Sequence, residues 1–155
     1  METHRKWMAQ ALDLAKQAAQ RNEVPVGAVI VVDDSLVAAA ANSRETLKDP
    51  TAHAEILALR QAAQRLGTWR LTEATLYVTL EPCPMCAGAV AQSRVNRLVY
   101  GATDAKGGAV ESVMNVLHPM LWNHKVDIIA GVMSDECREL LQEFFQARRT
   151  TSHFL

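Results

Sequence analysis

Apolar residues recur at helical spacing in the first part of the chain, at Trp7, Met8, Ala11, Leu12, Ala15, Ala18 and Ala19, which predicts an amphipathic helix over 4–21. Val24-Pro25-Val26-Gly27 breaks that period, and the pattern then changes to a short apolar run, Ala28–Val32, of strand type. Asp33-Asp34 turns the chain into a second strand, Ser35–Ala41, so a hairpin is expected. Asp49-Pro50 reads as a helix start, with Ile56, Leu57, Leu59, Ala63 and Leu66 supplying the apolar positions of a helix that ends near Gly67. Thr75–Thr79 is strand-like, and Pro82 begins another helix running to about Gln92. Strands follow at Arg97–Tyr100 and Asp127–Ala130. Ser134-Asp135-Glu136 opens the last helix with a cap and two acids near its positive end. Cys137, Leu140, Leu141, Phe144 and Phe145 then form a core stripe. The order α-β-β-α-β-α-β-β-α predicts an α/β fold, a mixed five-stranded sheet packed with helices.

The length, 155 residues, suits a single domain over 1–155, and with 49% hydrophobic residues such a domain can bury a full core. A formal net charge of −1 excludes a generally basic nucleic-acid binder and leaves room only for a local basic patch. The N-terminus METHRKWMAQ carries no apolar signal core, and no run approaches the ~20 apolar residues of a membrane span. Cysteine number is odd, Cys83, Cys86 and Cys137, which fits thiols in a reducing compartment better than a disulfide framework. The chain therefore reads as a soluble, cytoplasmic protein with no membrane partner.

Two short motifs carry the chemistry. His53-Ala54-Glu55 and Pro82-Cys83-Pro84-Met85-Cys86 together offer one imidazole, two thiols and one free carboxylate. A structural zinc site closes with a fourth protein ligand, whereas a catalytic site has three and keeps a place for water. His53, Cys83 and Cys86 are the expected ligands of one Zn2+ per subunit, a soft N/S donor set suited to that ion. Zinc lowers the pKa of bound water from about 16 to about 7, and Glu55 is left over as the general acid/base, a role typically worth about 10²–10⁴ in rate. Cys83 and Cys86 are three apart and share a helix face; His53 and Glu55, two apart, can converge only in the first turn of their helix. Two helix N-termini would then meet at the metal and favour thiolates. A lone CxxC can be structural or redox, and a lone His-x-Glu is weaker still, but both in this order at helix starts point to a catalytic zinc, and the arrangement resembles the signature of nucleobase zinc deaminases, which implies hydrolytic deamination.

Longer stretches narrow the family. Glu23–Ala28, Asp49–Ile56, Leu76–Gly88, Gly101–Lys106, Asn123-His124 and Phe144-Phe145 with Arg148-Arg149 resemble the bacterial tRNA-specific adenosine deaminases over nearly the whole chain. The zinc motif is shared with cytosine, deoxycytidylate and guanine deaminases; the later stretches discriminate. The resemblance implies a three-layer cytidine-deaminase-like fold and a homodimer. It implies conversion of adenosine to inosine at the wobble position of an arginine tRNA anticodon. It implies that Asn42 contacts the target base, that Val26 forms part of the pocket wall, and that Asp104, Lys106 and Asn123 face the anticodon loop.

A base inside a duplex cannot reach a buried ion, so an unpaired loop base is the expected RNA target. Arg44, Arg70, Lys106, Arg148 and Arg149 are the basic candidates for backbone contact. The remaining chemistry-bearing residues have plainer readings. Cys137 is a buried small hydrophobe, and His4, His118, His124 and His153 serve local structure or surface. Two rivals stand beside the tRNA deaminase: a deaminase of free guanine or deoxycytidylate, and a zinc-stabilised RNA-binding module without activity. Glu55 speaks against the second, which has no use for an acid beside its metal.

Overall fold

The computed structural model describes residues 1–152, with side chains as far as Arg149, so His153 falls outside the described residues. Helix α1 (Glu2–Gln20) leads into the hairpin of β1 (Gly27–Val32) and β2 (Ser35–Ala41). Asp33 and Asp34 both have positive φ, 50° and 57°, the left-handed pair of a type I′ turn, whose twist matches that of the flanking strands. A one-turn helix α2 (Arg44–Leu47) precedes α3 (Ala54–Leu66). Strand β3 (Thr75–Leu80), helix α4 (Pro84–Gln92) and strand β4 (Arg97–Ala102) form a parallel crossover unit. A long irregular segment with one 3₁₀ turn (Pro119–Leu121) leads to β5 (Asp127–Ala130) and α5 (Ser134–Ser152).

The sheet order is β2-β1-β3-β4-β5, antiparallel on the hairpin side and parallel from β3 to β5. Strand period two separates its faces. Ala28, Ile30, Leu76, Val78, Leu98 and Tyr100 point into one core layer with Ala54, Ala58 and Ala62 of α3 and Ala87, Val90 and Ala91 of α4. Val29, Val31, Tyr77 and Val99 point into the other, against Trp7, Met8, Ala11 and Leu12 of α1 and Cys137 of α5. Helices thus cover both faces, the expected three layers. Alpha1 lies very close to β1: a Cβ on Gly27 would fall 2.0 Å from the Ala11 carbonyl oxygen, so only glycine fits there. The outer edge of β2 is covered by α3, where the Gln61 side chain accepts from Ala39 N and Arg65 donates to Val37 O.

Two helix starts differ from expectation. Helix α3 begins at Ala54 rather than at Asp49-Pro50. Asp49 instead accepts from the N–H and hydroxyl of Thr51, a local Asx turn that takes the capping side chain away from any helix. Helix α4 begins at Pro84, two residues after Pro82, because proline fits the first helical position and Cys83 has extended backbone. The stripe on α5 is also shorter than its spacing predicts: Cys137 and Leu141 are buried, Phe144 is half-buried and Phe145 is 45% exposed. Among the described residues no helix is long and apolar enough to cross a membrane.

Candidate active site

Beta3 and β4 run parallel, and side chains placed just past their C-terminal ends can converge on one crevice. Cys83 is the N-cap of α4 and Cys86 its third residue; His53 is the N-cap of α3 and Glu55 its second residue. N-cap and third-residue side chains meet over the first turn, as in a capping box, so the cysteine pair converges there. His53 is therefore one step earlier than the first-turn position expected for it. Its extended backbone, and not the helix repeat, resolves the two-residue spacing from Glu55.

His53 Nδ1 lies 3.7 Å from Cys83 Sγ and 3.5 Å from Cys86 Sγ, and all three ligand atoms lie within 4.8 Å of one another. A tetrahedral zinc with ordinary Zn–N and Zn–S lengths separates its N and S donors by about 3.6 Å. The cluster thus has the spacing of a zinc site. Its charges agree. The Cys86 thiol, donating to Cys83, brings the Cys83 thiol down to about 4, with His53 helping. That Cys83 contact, together with burial and the nearby Glu55, pushes Cys86 up. Hydrogen bonding to Cys83 raises His53. One thiolate is comfortable and a second is resisted, a conflict that a divalent cation held by these residues would relieve by stabilising both thiolates.

Glu55 is 4% exposed, and burial raises its carboxyl to about 7. A carboxyl raised in this way suits a general acid/base working near neutral pH.

Asn42 sits at the end of β2 and is buried. Its Oδ1 accepts from Ala54 N at 2.7 Å and its Nδ2 donates to Val24 O at 3.2 Å. It thereby supplies to α3 the cap that His53, turned to the cluster, does not. Val26 is buried next to this link, accepting from Asn42 N. Arg44, exposed at the start of α2, shares a concavity of about 180 Å³ with Asn42, Glu45 and Arg148. Arg148 also donates to Asn22 O and lies over the Phe144 ring, while Arg149 is exposed on the same helix. Asp104 is half-buried and accepts from the N–H groups of Lys106 and Gly107, which leaves Lys106 exposed on a self-capped turn. Asn123 is exposed between Trp122, which donates to Val116 O, and His124, whose ring bonds Val95 O. Arg70 stands apart. It precedes β3, at the opposite end of that strand from Cys83, and its guanidinium lies over Trp69.

Two buried acids near the site have no role in the sequence reading. Glu23 accepts from Glu45 N, Thr46 N and the Thr46 hydroxyl, which fastens α2. Glu81 accepts from the N–H groups of Asp104, Val110, Glu111 and Ser112 and from the Ser112 hydroxyl. Burial pushes both carboxyls up, but these donors more than offset it and hold them below the ordinary range. Glu81 directly follows β3, and its place after that buried strand is the one sequence signal of a buried acid.

Residues 2–149 match the MafB19-like deaminase family. A tRNA-specific adenosine deaminase of Bacillus subtilis is 49% identical over 92% of this chain and 89% of its own. The chain belongs to the tRNA-specific adenosine deaminase family. It is accordingly a hydrolytic deaminase with a cytidine-deaminase-like fold. Among solved structures, one from work on A-to-I editing by tRNA:A34 deaminases at the wobble position of transfer RNA superposes with a TM-score of 0.84. It shares 47% identity over 88% of this chain and 99% of that one. A guanine deaminase from Nitrosomonas europaea superposes nearly as well, TM-score 0.79, but at 28% identity over 90% of this chain and 83% of that one. The fold is common to both kinds of protein; of those named here, the tRNA deaminases share the higher identity with this chain over most of its length.

Proposed function

We propose that this protein deaminates adenosine to inosine at the wobble position of a tRNA, an arginine tRNA in particular, and that it does so with one Zn2+ per subunit. The observation that carries the reading is the coincidence of two things. A His53/Cys83/Cys86 cluster of zinc spacing stands beside a buried carboxyl, Glu55, and the 47–49% identity to tRNA adenosine deaminases extends over about nine-tenths of the chain. Three protein donors rather than four match a catalytic zinc. Bound there, zinc supplies Lewis acidity that makes water nucleophilic at neutral pH.

The protein's own part is proton handling and placement. Glu55 takes one proton from the attacking water and passes it to the ring nitrogen, where inosine keeps it, and then carries the proton of the new hydroxyl to the departing amine as that oxygen becomes the carbonyl. Water and adenosine become inosine and ammonia, with no net proton change in Glu55. Asn42 holds the start of α3, and so the height of His53 and Glu55, with its remaining amide capacity available to the base; Val26 walls the pocket. Arg44, Lys106, Arg148 and Arg149, exposed cations, supply backbone contacts, with Asp104 and Asn123 beside the anticodon loop. Arg70, remote from the cluster within one chain, serves as an outlying contact. We further propose that the chain works as one domain over 1–155, as a homodimer, in the cytoplasm.

An anticodon stem-loop with adenosine at the wobble position tests the reading directly, with free guanine and deoxycytidylate in parallel. Inosine in the RNA and no change in the free compounds is the expected result. Activity on guanine or deoxycytidylate with none on RNA overturns it.

A further inference from the structure

Glu81 takes no part in the chemistry above, yet it is one of the most tightly held side chains in the molecule. It is 2% exposed, and no cation lies within ion-pair distance of it among the described residues. A buried carboxylate without a counter-charge is costly and persists only where donors occupy its lone pairs. Here every donor comes from one stretch of chain, residues 104–112. The next residue joins in, since Pro82 O accepts from Ala109 N at 2.8 Å. Gly108 makes the approach possible, because a Cβ there would lie 2.4 Å from the Glu81 carboxyl carbon. The 104–112 segment is thus registered on residues 81 and 82, immediately before Cys83.

We propose that Glu81 is a positioning residue for the substrate. Its carboxylate sets the 104–112 segment against Cys83, so that Asp104 and Lys106 meet the RNA strand at a defined height above the metal cluster. The proposal rests on the functional reading above and adds to it the device that couples the cysteine helix to the substrate-facing loop. A residue that merely stabilised the fold would affect all elements alike. A positioning residue acts on the loop and on substrate binding, and leaves metal and chemistry in place.

The test compares wild type, Glu81→Gln, Gly108→Ala, the double variant and Ser112→Ala, each loaded with zinc. Glutamine keeps the size of Glu81 but turns one acceptor oxygen into a donor facing N–H groups. Expected for Glu81→Gln are an unchanged zinc content and amide exchange of residues 104–112 faster by about tenfold or more, with α3 and α4 unaffected. KM for the stem-loop rises about tenfold while kcat stays within about threefold. Gly108→Ala, which displaces the same carboxylate, reproduces this pattern, and the double variant is no worse than either single one. Ser112→Ala removes one donor only and produces a smaller change in the same direction. If Glu81→Gln does not fold, Gly108→Ala and Ser112→Ala carry the test by the same readouts. Unchanged KM, loss of zinc, or exchange accelerated equally in α3 and α4 overturns the proposal. Wild-type protein inactive on RNA overturns the functional reading instead, and the exchange data still decide whether Glu81 anchors the loop.

Discussion

Glu55 and Cys83 stand within one cluster but answer to different physics, and substitution separates them. Glu55 contributes no metal-ligand atom to the donor set, so Glu55→Ala keeps zinc by metal analysis and loses about 10²–10⁴ in inosine formation. Cys83→Ala removes a donor and loses the metal as well. Asn42 bears on stability. Asn42→Ala leaves the buried Ala54 N–H without its acceptor and frees Val24 O, and should lower unfolding stability in urea by about 2 kcal/mol. That His53, Cys83 and Cys86 come together, with Glu55 next to them, was legible from residue type and spacing. The roles of Asn42, Glu23 and Glu81 were not, because each depends on backbone N–H groups brought in by a distant segment.

At the scale of elements, the hydrophobic period placed all five strands and four of the helices to within a few residues. It missed α2, a single turn with no buried residue and therefore no apolar period to read. That turn is held by Glu23. Glu23 stands below its ordinary value of 4.5, burial being outweighed by the Thr46 hydroxyl and the Thr46 and Glu45 N–H groups. A lowered folded pKa means stability that is full above 4.5 and is lost as pH falls through the folded value. Thermal midpoints of Glu23→Gln and wild type should consequently converge on acidification, with the wild type ahead at neutral pH. The end of α5 offers a second check on where packing stops. Phe145, 45% exposed, should cost less than about 1 kcal/mol as Phe145→Ser, whereas Leu141→Ala, in the core, should cost about 2–5 kcal/mol in the same denaturation assay.

For the whole molecule the charge is close to balanced, so on the proposed function RNA binding should rest on a few placed cations and not on a general field. Counting Arg44, Lys106, Arg148 and Arg149 as phosphate contacts, the log of the binding constant should fall against log salt with a slope of about −3 on a single-stranded loop. A stem-loop titration at several salt concentrations measures it, and a slope near zero would remove these residues from the interface. Arg70, at the far end of β3 from the cluster, should leave that slope unchanged when only the loop is presented.

By itself the sequence determined the residue chemistry and the layer order. Donor type and spacing decide what ion a cluster can hold, and hydrophobic period decides which face of each helix and strand is buried. Only the tertiary structure decided where the two helices of the candidate site begin, since Asn42 rather than Asp49 caps α3 and an extended Cys83 rather than Pro82 precedes α4. It alone joined Glu81 to residues 104–112 and Glu23 to α2. The physical reason is range. Periodicity and side-chain type act over a few neighbouring residues, whereas a buried carboxylate or amide is satisfied by whichever N–H groups the fold delivers to it, 12 to 31 positions away.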